Sequence, residues 1–128
     1  MTKCPCGSSR SYLECCGPFL EGKALPKSPE ELMRSRYSAF TKGDTLYLEQ
    51  TMTGKALERF DAKETKGWAL SVQWLGLTIV KAPAHEGNIG WVEFIARFKS
   101  EGKEYKIHEL SEFHKVDGKW YYVDGKHF

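Results

Sequence analysis

Residues 100–124 read SEGKEYKIHELSEFHKVDGKWYYVD and contain two strand-like runs, each preceded by a tight-turn signal. Both runs are rich in β-branched and aromatic residues, which favour extended structure over helix. Gly102 and Gly118 lie in the short charged segments SEGK and VDGK, which are typical of hairpin loops. Because a similar run precedes Gly102, the sequence predicts an antiparallel meander with strands at 89–100, 103–116 and 119–124.

Upstream of the meander the pattern is helical. Residues 28–31, SPEE, combine a serine N-cap, a proline at the first helical position and a capping-box glutamate, and Gly43 marks the end of this helix. Asp44 and Asp61 are the predicted N-caps of two shorter helices. A further strand is predicted at 70–81. Helices followed by a sheet indicate α+β architecture, in which the helices pack on a bent antiparallel sheet.

The first long helix carries two arginines that differ in predicted environment. On a helical wheel Arg36 falls inside the apolar arc that contains Leu32 and Tyr37. A buried guanidinium needs a partner, so we expect an acidic residue beside Arg36. Arg34 lies at the edge of the arc, where a long side chain covers apolar surface and keeps its charged end in water.

All four cysteines lie near the N-terminus, at Cys4, Cys6, Cys15 and Cys16. Four thiolates on a tight loop match the tetrahedral, soft-ligand preference of zinc, so we expect these cysteines to bind one Zn²⁺ ion. Disulfides within the pairs are disfavoured, because adjacent Cys15 and Cys16 would form a strained ring. Crossed disulfides between the pairs and a redox-sensing thiol cluster are the alternatives left open.

The segment CPCGSSRSYLECCG at 4–17 resembles the SEC-C zinc motif, best known from the C-terminal tail of the SecA translocation motor. The spacing C-x-C-x8-C-C matches throughout, although Cys16 stands where the SecA tail often has a histidine. In SecA the motif contacts the export chaperone SecB, so the resemblance implies a protein partner in a translocation, chaperone or ribosome context. The expected contact residues between the two cysteine pairs are Arg10, Tyr12 and Leu13.

Several downstream strings together resemble the YchJ family of bacterial proteins. They are LMRSRYSAF at 32–40, WLGL at 74–77, VEF at 92–94, ELSEF at 109–113 and WYYVDG at 120–125. The resemblance implies a nuclear-transport-factor-2-like, or cystatin-like, fold, which is a cone of helices on a bent sheet and usually has a cavity. It divides the chain into a zinc knuckle at 1–20, a linker at 21–27 and the cone domain at 28–128.

The strand predicted at 103–116 places two polar residues, Glu109 and Ser111, on the mainly apolar face that looks into the cone. A buried carboxylate needs partners. The structural interpretation is an ion pair between Glu109 and Arg36, with Ser111 and Tyr122 completing the hydrogen bonds. The functional interpretation, by analogy with enzymes of this fold, makes Glu109 a general base and gives the electrophilic role to Arg36 or to a tyrosine, Tyr37 or Tyr122.

The histidines contribute little to either interpretation. His85 is predicted in a turn, His127 in the C-terminal tail, and His108 and His114 on the more polar outer face of their strand. None of the four is expected to join the cysteines or to activate a nucleophile.

Charge and hydropathy exclude some classes of protein. The formal net charge of +2 falls to about zero once four thiolates hold a Zn²⁺ ion, and only Lys3 and Arg10 are basic within the knuckle. Nucleic acid is therefore not an expected partner. No apolar run approaches the roughly 20 residues that span a bilayer, and no secretory signal is recognisable, so we expect a cytoplasmic protein.

Two function hypotheses follow from these patterns. The preferred hypothesis is a non-catalytic interaction module that binds a protein partner through the SEC-C knuckle. The alternative is an isomerase- or hydrolase-type enzyme, or a small-ligand binder, that uses the cavity of the cone. Whether the open face of the sheet forms a homodimer is not decided by the sequence. Because the cone has its own core, we expect metal removal to loosen only residues up to Lys27.

Overall fold

The computed structural model describes residues 2–85 and 87–128. The helices are α1 (Gly17–Leu20), α2 (Pro29–Lys42), α3 (Thr45–Gln50), α4 (Gly54–Glu58) and α5 (Ala62–Ser71). The strands are β1 (Gln73–Lys81), β2 (Ile89–Ser100), β3 (Lys103–Val116) and β4 (Lys119–His127), and a 3₁₀ turn at Tyr12–Glu14 precedes α1. Within the described residues, no helix is long and apolar enough to cross a membrane.

The strands form an antiparallel sheet in the order β1-β2-β3-β4, with each strand paired to its neighbours in the sequence. The predicted bounds of β2 and β3 are confirmed. Both predicted hairpin turns contain glycine in the left-handed region, with φ of 80° at Gly102 and 79° at Gly118. The α+β class predicted from the order of helices and strands is therefore confirmed.

The first and last strands differ from their predicted bounds. The first residues of the strand predicted at 70–81 belong instead to α5. This helix begins at the predicted cap, where Asp61 accepts a hydrogen bond from the Glu64 N–H at 2.9 Å, and continues to Ser71. The last strand does not stop at residue 124 but continues to His127. This extension pairs His127 with Glu109 on β3.

The caps of α2 and α3 are as predicted. The Ser28 hydroxyl accepts a hydrogen bond from the Glu31 N–H at 3.1 Å, and Gly43 ends α2 in the left-handed conformation with φ of 66°. Asp44 then accepts from the Tyr47 N–H at 3.1 Å and starts α3. With these bounds α2 packs against β1, β2 and β4, and it contributes more buried residues than the other four helices together.

One buried cluster joins the knuckle (residues 2–20), α2 and the sheet. Its members are Cys4, Cys6, Cys16, Leu32, Met33, Tyr37, Val92, Phe94, Ala96, Phe113 and Trp120. Three of the four cysteines are thus packed in the core of the cone rather than in a separate appendage. The domain boundaries at residues 20 and 27 stay predictions. The knuckle and the cone were expected to have separate cores, whereas the packing shows one buried cluster that contains residues of both.

Candidate functional site

The four cysteines converge on one point at the edge of this shared core. Their Sγ atoms all lie within 4.8 Å of one another, and all four are free thiols. The distance between Sγ atoms is 3.6 Å for Cys6 and Cys15, and 3.9 Å for Cys15 and Cys16. Sulfurs that ligate one tetrahedral ion at about 2.3 Å are expected to lie about 3.8 Å apart. The cluster is therefore arranged to hold a metal ion.

Local backbone structure brings the two cysteine pairs together. The Cys4 N–H donates to the Arg10 carbonyl at 2.8 Å and closes a tight loop, which Gly7 turns with φ of 83°. The second pair sits at a junction of helical turns, since Cys15 ends the 3₁₀ turn and Cys16 precedes α1. Both pairs are positioned by short-range structure, as expected for a knuckle.

Arg34 holds the knuckle against α2, so the prediction that its charged end lies in water is wrong. Its Nη1 donates to the Cys6 carbonyl at 2.8 Å and lies 4.0 Å from the Cys6 Sγ, while its Nε forms a salt bridge with Glu30 at 3.0 Å. Ser38, also on α2, places its Oγ 3.5 Å from the Cys4 Sγ. The helical wheel located Arg34 at the edge of the apolar arc, but it contained no information about the knuckle that covers this edge.

The thiols influence one another strongly because they are crowded. The hydrogen bond from Cys16 lowers the pKa of Cys6 to about 4, and the same bond raises the pKa of Cys16. Burial raises the pKa of Cys15, although the Ser8 hydroxyl at 3.1 Å opposes this effect. Four thiolates in so small a volume repel one another, so full deprotonation needs a cation between them. This donor set fits a thiophilic divalent metal.

The three residues predicted to contact a partner differ in accessibility. Leu13 is 69% exposed. Arg10 is also exposed, although its guanidinium donates to the Glu14 carbonyl. Tyr12 is only partly exposed, and the Nζ of Lys42 lies 4.3 Å from the centroid of its ring. Tyr12 therefore fixes the knuckle to α2, whereas Arg10 and Leu13 are available to another molecule.

The cone contains a cavity of about 220 Å³ between α2, α5 and the concave face of the sheet. One wall is aromatic and consists of Tyr37, Phe40, Trp68 and Trp74. The polar residues that line the cavity are Arg36, Glu109, Ser111, Tyr122 and His127. All five residues named as candidates for a site in the cone, Glu109, Arg36, Tyr37, Ser111 and Tyr122, are thus brought together around one cavity.

Glu109 is the centre of the polar group. Its Oε2 accepts hydrogen bonds from the Ser111 hydroxyl at 2.6 Å and from the Tyr122 hydroxyl at 2.8 Å, as the structural interpretation predicted. Its Oε1 lies 3.1 Å from the Nε2 of His127. Burial raises the pKa of Tyr122, and the charge of Glu109 adds to this effect, so Tyr122 keeps its proton for the carboxylate.

The predicted ion pair between Arg36 and Glu109 is wrong. Among the described residues, no carboxylate lies within 4.0 Å of the Arg36 guanidinium. Instead its Nη1 donates to the Leu48 carbonyl at 2.9 Å and to the Thr51 hydroxyl at 2.7 Å, at the C-terminus of α3. Its Cζ lies 4.7 Å from the centroid of the Tyr122 ring, so Tyr122 separates the two charges. The helix C-terminus satisfies the buried cation in place of an acidic side chain.

His127 is a residue of the candidate site in the cone that the sequence reasoning missed. A regular hairpin about Gly118 pairs Val116 with Lys119, and continuing that register would place Lys126 opposite Glu109. A bulge in the ladder shifts the pairing by one residue and brings His127 there instead. The sequence reasoning ended this strand at residue 124 and placed His127 in the tail, so it predicted neither the longer strand nor the bulge that brings His127 to Glu109.

The roles assigned to these residues in catalysis stay predictions. Glu109 lies in a cavity, as a general base must, but Ser111 and Tyr122 both donate to its own carboxylate. A tyrosine engaged in this way is not placed to polarise a substrate carbonyl unless its hydrogen bond to Glu109 breaks. Tyr37 does not bind Glu109, but it forms a hydrogen bond with the backbone of Gly76, and burial raises its pKa to about 12.

Gly125→Ala tests how tightly the polar group is packed. A methyl group at this position would overlap the Glu109 carboxylate and the Tyr122 hydroxyl. We expect a loss of about 1–3 kcal/mol in the free energy of unfolding, measured by denaturant titration. Gly67→Ala is the matched control, since Gly67 lies in α5 with nothing within 4 Å, and it should gain about 0.5–1 kcal/mol. Unchanged stability of Gly125→Ala would show that the group is loosely packed.

Comparison with known proteins agrees with this architecture. The family model described as "YchJ, middle NTF2-like domain" matches residues 28–125. A UPF0225 protein of Geobacter sulfurreducens is 46% identical over 125 residues, which cover 95% of this chain and 77% of the relative.

Two solved structures of SEC-C motif containing proteins are also similar. The solution structure of one from Rhodopseudomonas palustris has a TM-score of 0.89 and 38% identity and covers 98% of both chains. The crystal structure of one from Psychrobacter arcticus has a TM-score of 0.82 and 30% identity, and the match covers 94% of this chain and 80% of that one. With its cysteine knuckle followed by an NTF2-like cone, this chain belongs to the YchJ family.

Proposed function

We propose that this protein is a zinc-structured interaction module, in which one Zn²⁺ ion on Cys4, Cys6, Cys15 and Cys16 holds the knuckle in shape for a protein partner. Four thiolates complete a tetrahedral shell and leave no open coordination position, which is typical of a structural site rather than a catalytic one. The observation that carries the proposal is the contrast between the cysteine cluster, in which Cys4, Cys6 and Cys16 are buried, and the accessible outer side of the same knuckle, where Leu13 is 69% exposed.

The outer side of the knuckle borders a groove that suits an extended peptide. The groove has a volume of about 480 Å³ and runs between the knuckle and the start of α2. Its lining alternates in charge and includes Arg10, Glu14, Lys27, Glu31 and Arg34, together with the apolar Leu25. Mixed charges around an apolar centre are typical of a protein-binding surface. The resemblance to the SecA tail supports a partner from translocation, chaperone or ribosome function.

The test is a variant of the two accessible residues, Arg10→Glu with Leu13→Ser. We expect this variant to capture about 10-fold less partner, or less still, from a native lysate, because a few residues carry most of the binding energy of an interface. Capture is quantified by mass spectrometry against the zinc-loaded wild type. The matched control is Leu46→Ser, which removes a leucine on α3 that is 65% exposed and should leave capture unchanged.

Tyr12 is left intact in this design because it packs against Lys42, so replacing it would alter the knuckle itself. The thermal midpoint of each variant should stay within about 2 °C of the wild type, since exposed substitutions change stability by about 0.5 kcal/mol or less. Undiminished capture by the Arg10→Glu, Leu13→Ser variant would refute the knuckle as the binding surface.

A further inference from the structure

Arg36 is a buried cation, and the part of the chain that the structure describes uses only some of its hydrogen-bond donors. The side chain is only 4% exposed, and both of its hydrogen bonds, to Leu48 and to Thr51, come from Nη1. Among residues 2–85 and 87–128, Nε and Nη2 have no hydrogen-bond partner. Neither atom is among the fully enclosed unpaired side-chain atoms of the described residues, which are Ser11 Oγ and Trp120 Nε1, and Arg36 is one of the residues that line the cavity. Unpaired buried donors are costly, which indicates that a ligand acceptor completes them.

The charges around the cavity favour a neutral ligand. Burial lowers the pKa of Arg36 to about 10, so the guanidinium keeps its charge at neutral pH. Glu109 lies in the same cavity, and Tyr122 links the two groups by its ring and its hydroxyl. The opposite charges balance each other. A ligand with a full charge would upset this balance and would also lose its own hydration on entering.

The aromatic wall favours a flat ring. Trp74 contacts the rings of Tyr37, Phe40 and Trp68 with centroid distances of 5.6, 6.0 and 5.4 Å. The contacts with Tyr37 and Trp68 are edge-to-face and the contact with Phe40 is tilted, and the cluster presents rigid apolar surface to the cavity. The volume of about 220 Å³ is below the roughly 300–1,000 Å³ of drug-sized pockets, so one or two rings fill it.

We propose that the cone cavity binds a neutral, planar carbonyl compound of one or two rings, whose carbonyl oxygen accepts hydrogen bonds from Nε and Nη2 of Arg36. The rings lie against Trp68 and Trp74, and Glu109 balances the charge of the guanidinium. This site is separate from the knuckle and goes beyond the interaction function.

Three bicyclic probes that differ only in their polar group test the proposal. They are 2-acetylnaphthalene, the hydrocarbon 2-ethylnaphthalene and the carboxylate 2-naphthoate. Binding is followed by ¹⁵N NMR titration of the zinc-loaded protein, where each tryptophan gives its own indole signal. We expect the ketone to shift the indole signals of Trp68 and Trp74, but not that of the outward-facing Trp91, and to bind about 10-fold or more tightly than either other probe.

Two variants locate the binding. Ala96→Leu fills the cavity from β2 and should weaken binding of the ketone by about 10-fold or more, whereas the control Ile95→Leu, on the opposite face of β2, should not. Arg36→Met removes every donor of this side chain and should abolish the preference for the ketone over the hydrocarbon, and a retained preference would overturn the proposal. If Arg36→Met does not fold, Ala96→Leu decides alone. Equal binding to Ala96→Leu and wild type, equal or tighter binding of 2-naphthoate, or no saturable shift with the ketone would each overturn the proposal.

Discussion

Removal of the metal is expected to destabilise the whole chain and not only the knuckle. Cys4, Cys6 and Cys16 belong to the same buried cluster as Leu32 and Tyr37 of α2. Without a metal the thiols would need protons or new partners, and the loop that carries them would no longer be held against α2. Solvent would then reach the core from this side. The packing therefore replaces the expectation, based on sequence, that only residues up to 27 respond.

The expected size of the effect is large. Structural zinc contributes about 10–16 kcal/mol of apparent binding free energy in zinc-finger peptides, whereas a whole domain is stable by only about 5–15 kcal/mol. Even a loss of about 3 kcal/mol would lower the thermal midpoint by about 10 °C for a chain of this size. The measurement is thermal unfolding, followed by circular dichroism, with and without a strong chelator.

Two variants distinguish the effect of losing the metal from any other effect of the chelator on the protein. Cys6→Ser removes a fully buried ligand and should reproduce the fall in the midpoint, while Ser8→Ala removes only the hydroxyl beside Cys15 and should cost about 1 kcal/mol. NMR of the metal-free chain then shows which residues change their structure when the metal is removed. If Val92 and Phe113 in the sheet keep their amide signals while residues 2–27 alone shift, the two parts are independent and the shared core is energetically unimportant.

The elements that could be predicted from sequence are those specified by local signals. The β2 and β3 bounds were correct because each strand adjoins a glycine turn, and the α2 bounds followed from its serine cap and Gly43. The start of β1 was wrong because apolar residues near Leu70 suit a helix or a strand equally, and only the packing of α5 decides between them. Local patterns specify elements, whereas their ends depend on tertiary contacts.

The candidate sites show the same limit. Alternation along β3 placed Glu109 and Ser111 in the cavity, and the cysteine spacing identified the metal cluster. The helical wheel also placed Arg36 correctly on the buried face of α2. It could not show that Arg36 would reach the carbonyl of Leu48, because a wheel describes one helix and the partner lies at the end of another. Residue types predicted the need for a partner, but not its identity.

Arg36→Met is expected to cost about 3–5 kcal/mol in the free energy of unfolding, because it removes two hydrogen bonds made by a charged group, each worth about 1.5–3 kcal/mol. The variant loses the hydrogen bonds to Leu48 and Thr51 and the contact with the Tyr122 ring. It also removes the positive charge that faces Glu109 across the Tyr122 ring, and leaves His127, 3.1 Å from the Glu109 carboxylate, as the remaining basic side chain beside it. Arg97→Met, at an exposed position on β2, is the control and should change stability by about 0.5 kcal/mol or less.

A double-mutant cycle with Glu109→Gln separates the hydrogen bonds of Arg36 to α3 from its charge interaction with Glu109. Only the second contribution depends on the charge of residue 109. If Arg36 neutralises Glu109 across Tyr122, Glu109→Gln should destabilise the Arg36→Met background by about 1–3 kcal/mol less than it destabilises the wild type. Both free energies are measured by denaturant unfolding of the metal-loaded protein. A coupling energy near zero would mean that Arg36 acts only as a cap for α3, and that the charges of the cavity are set independently of each other.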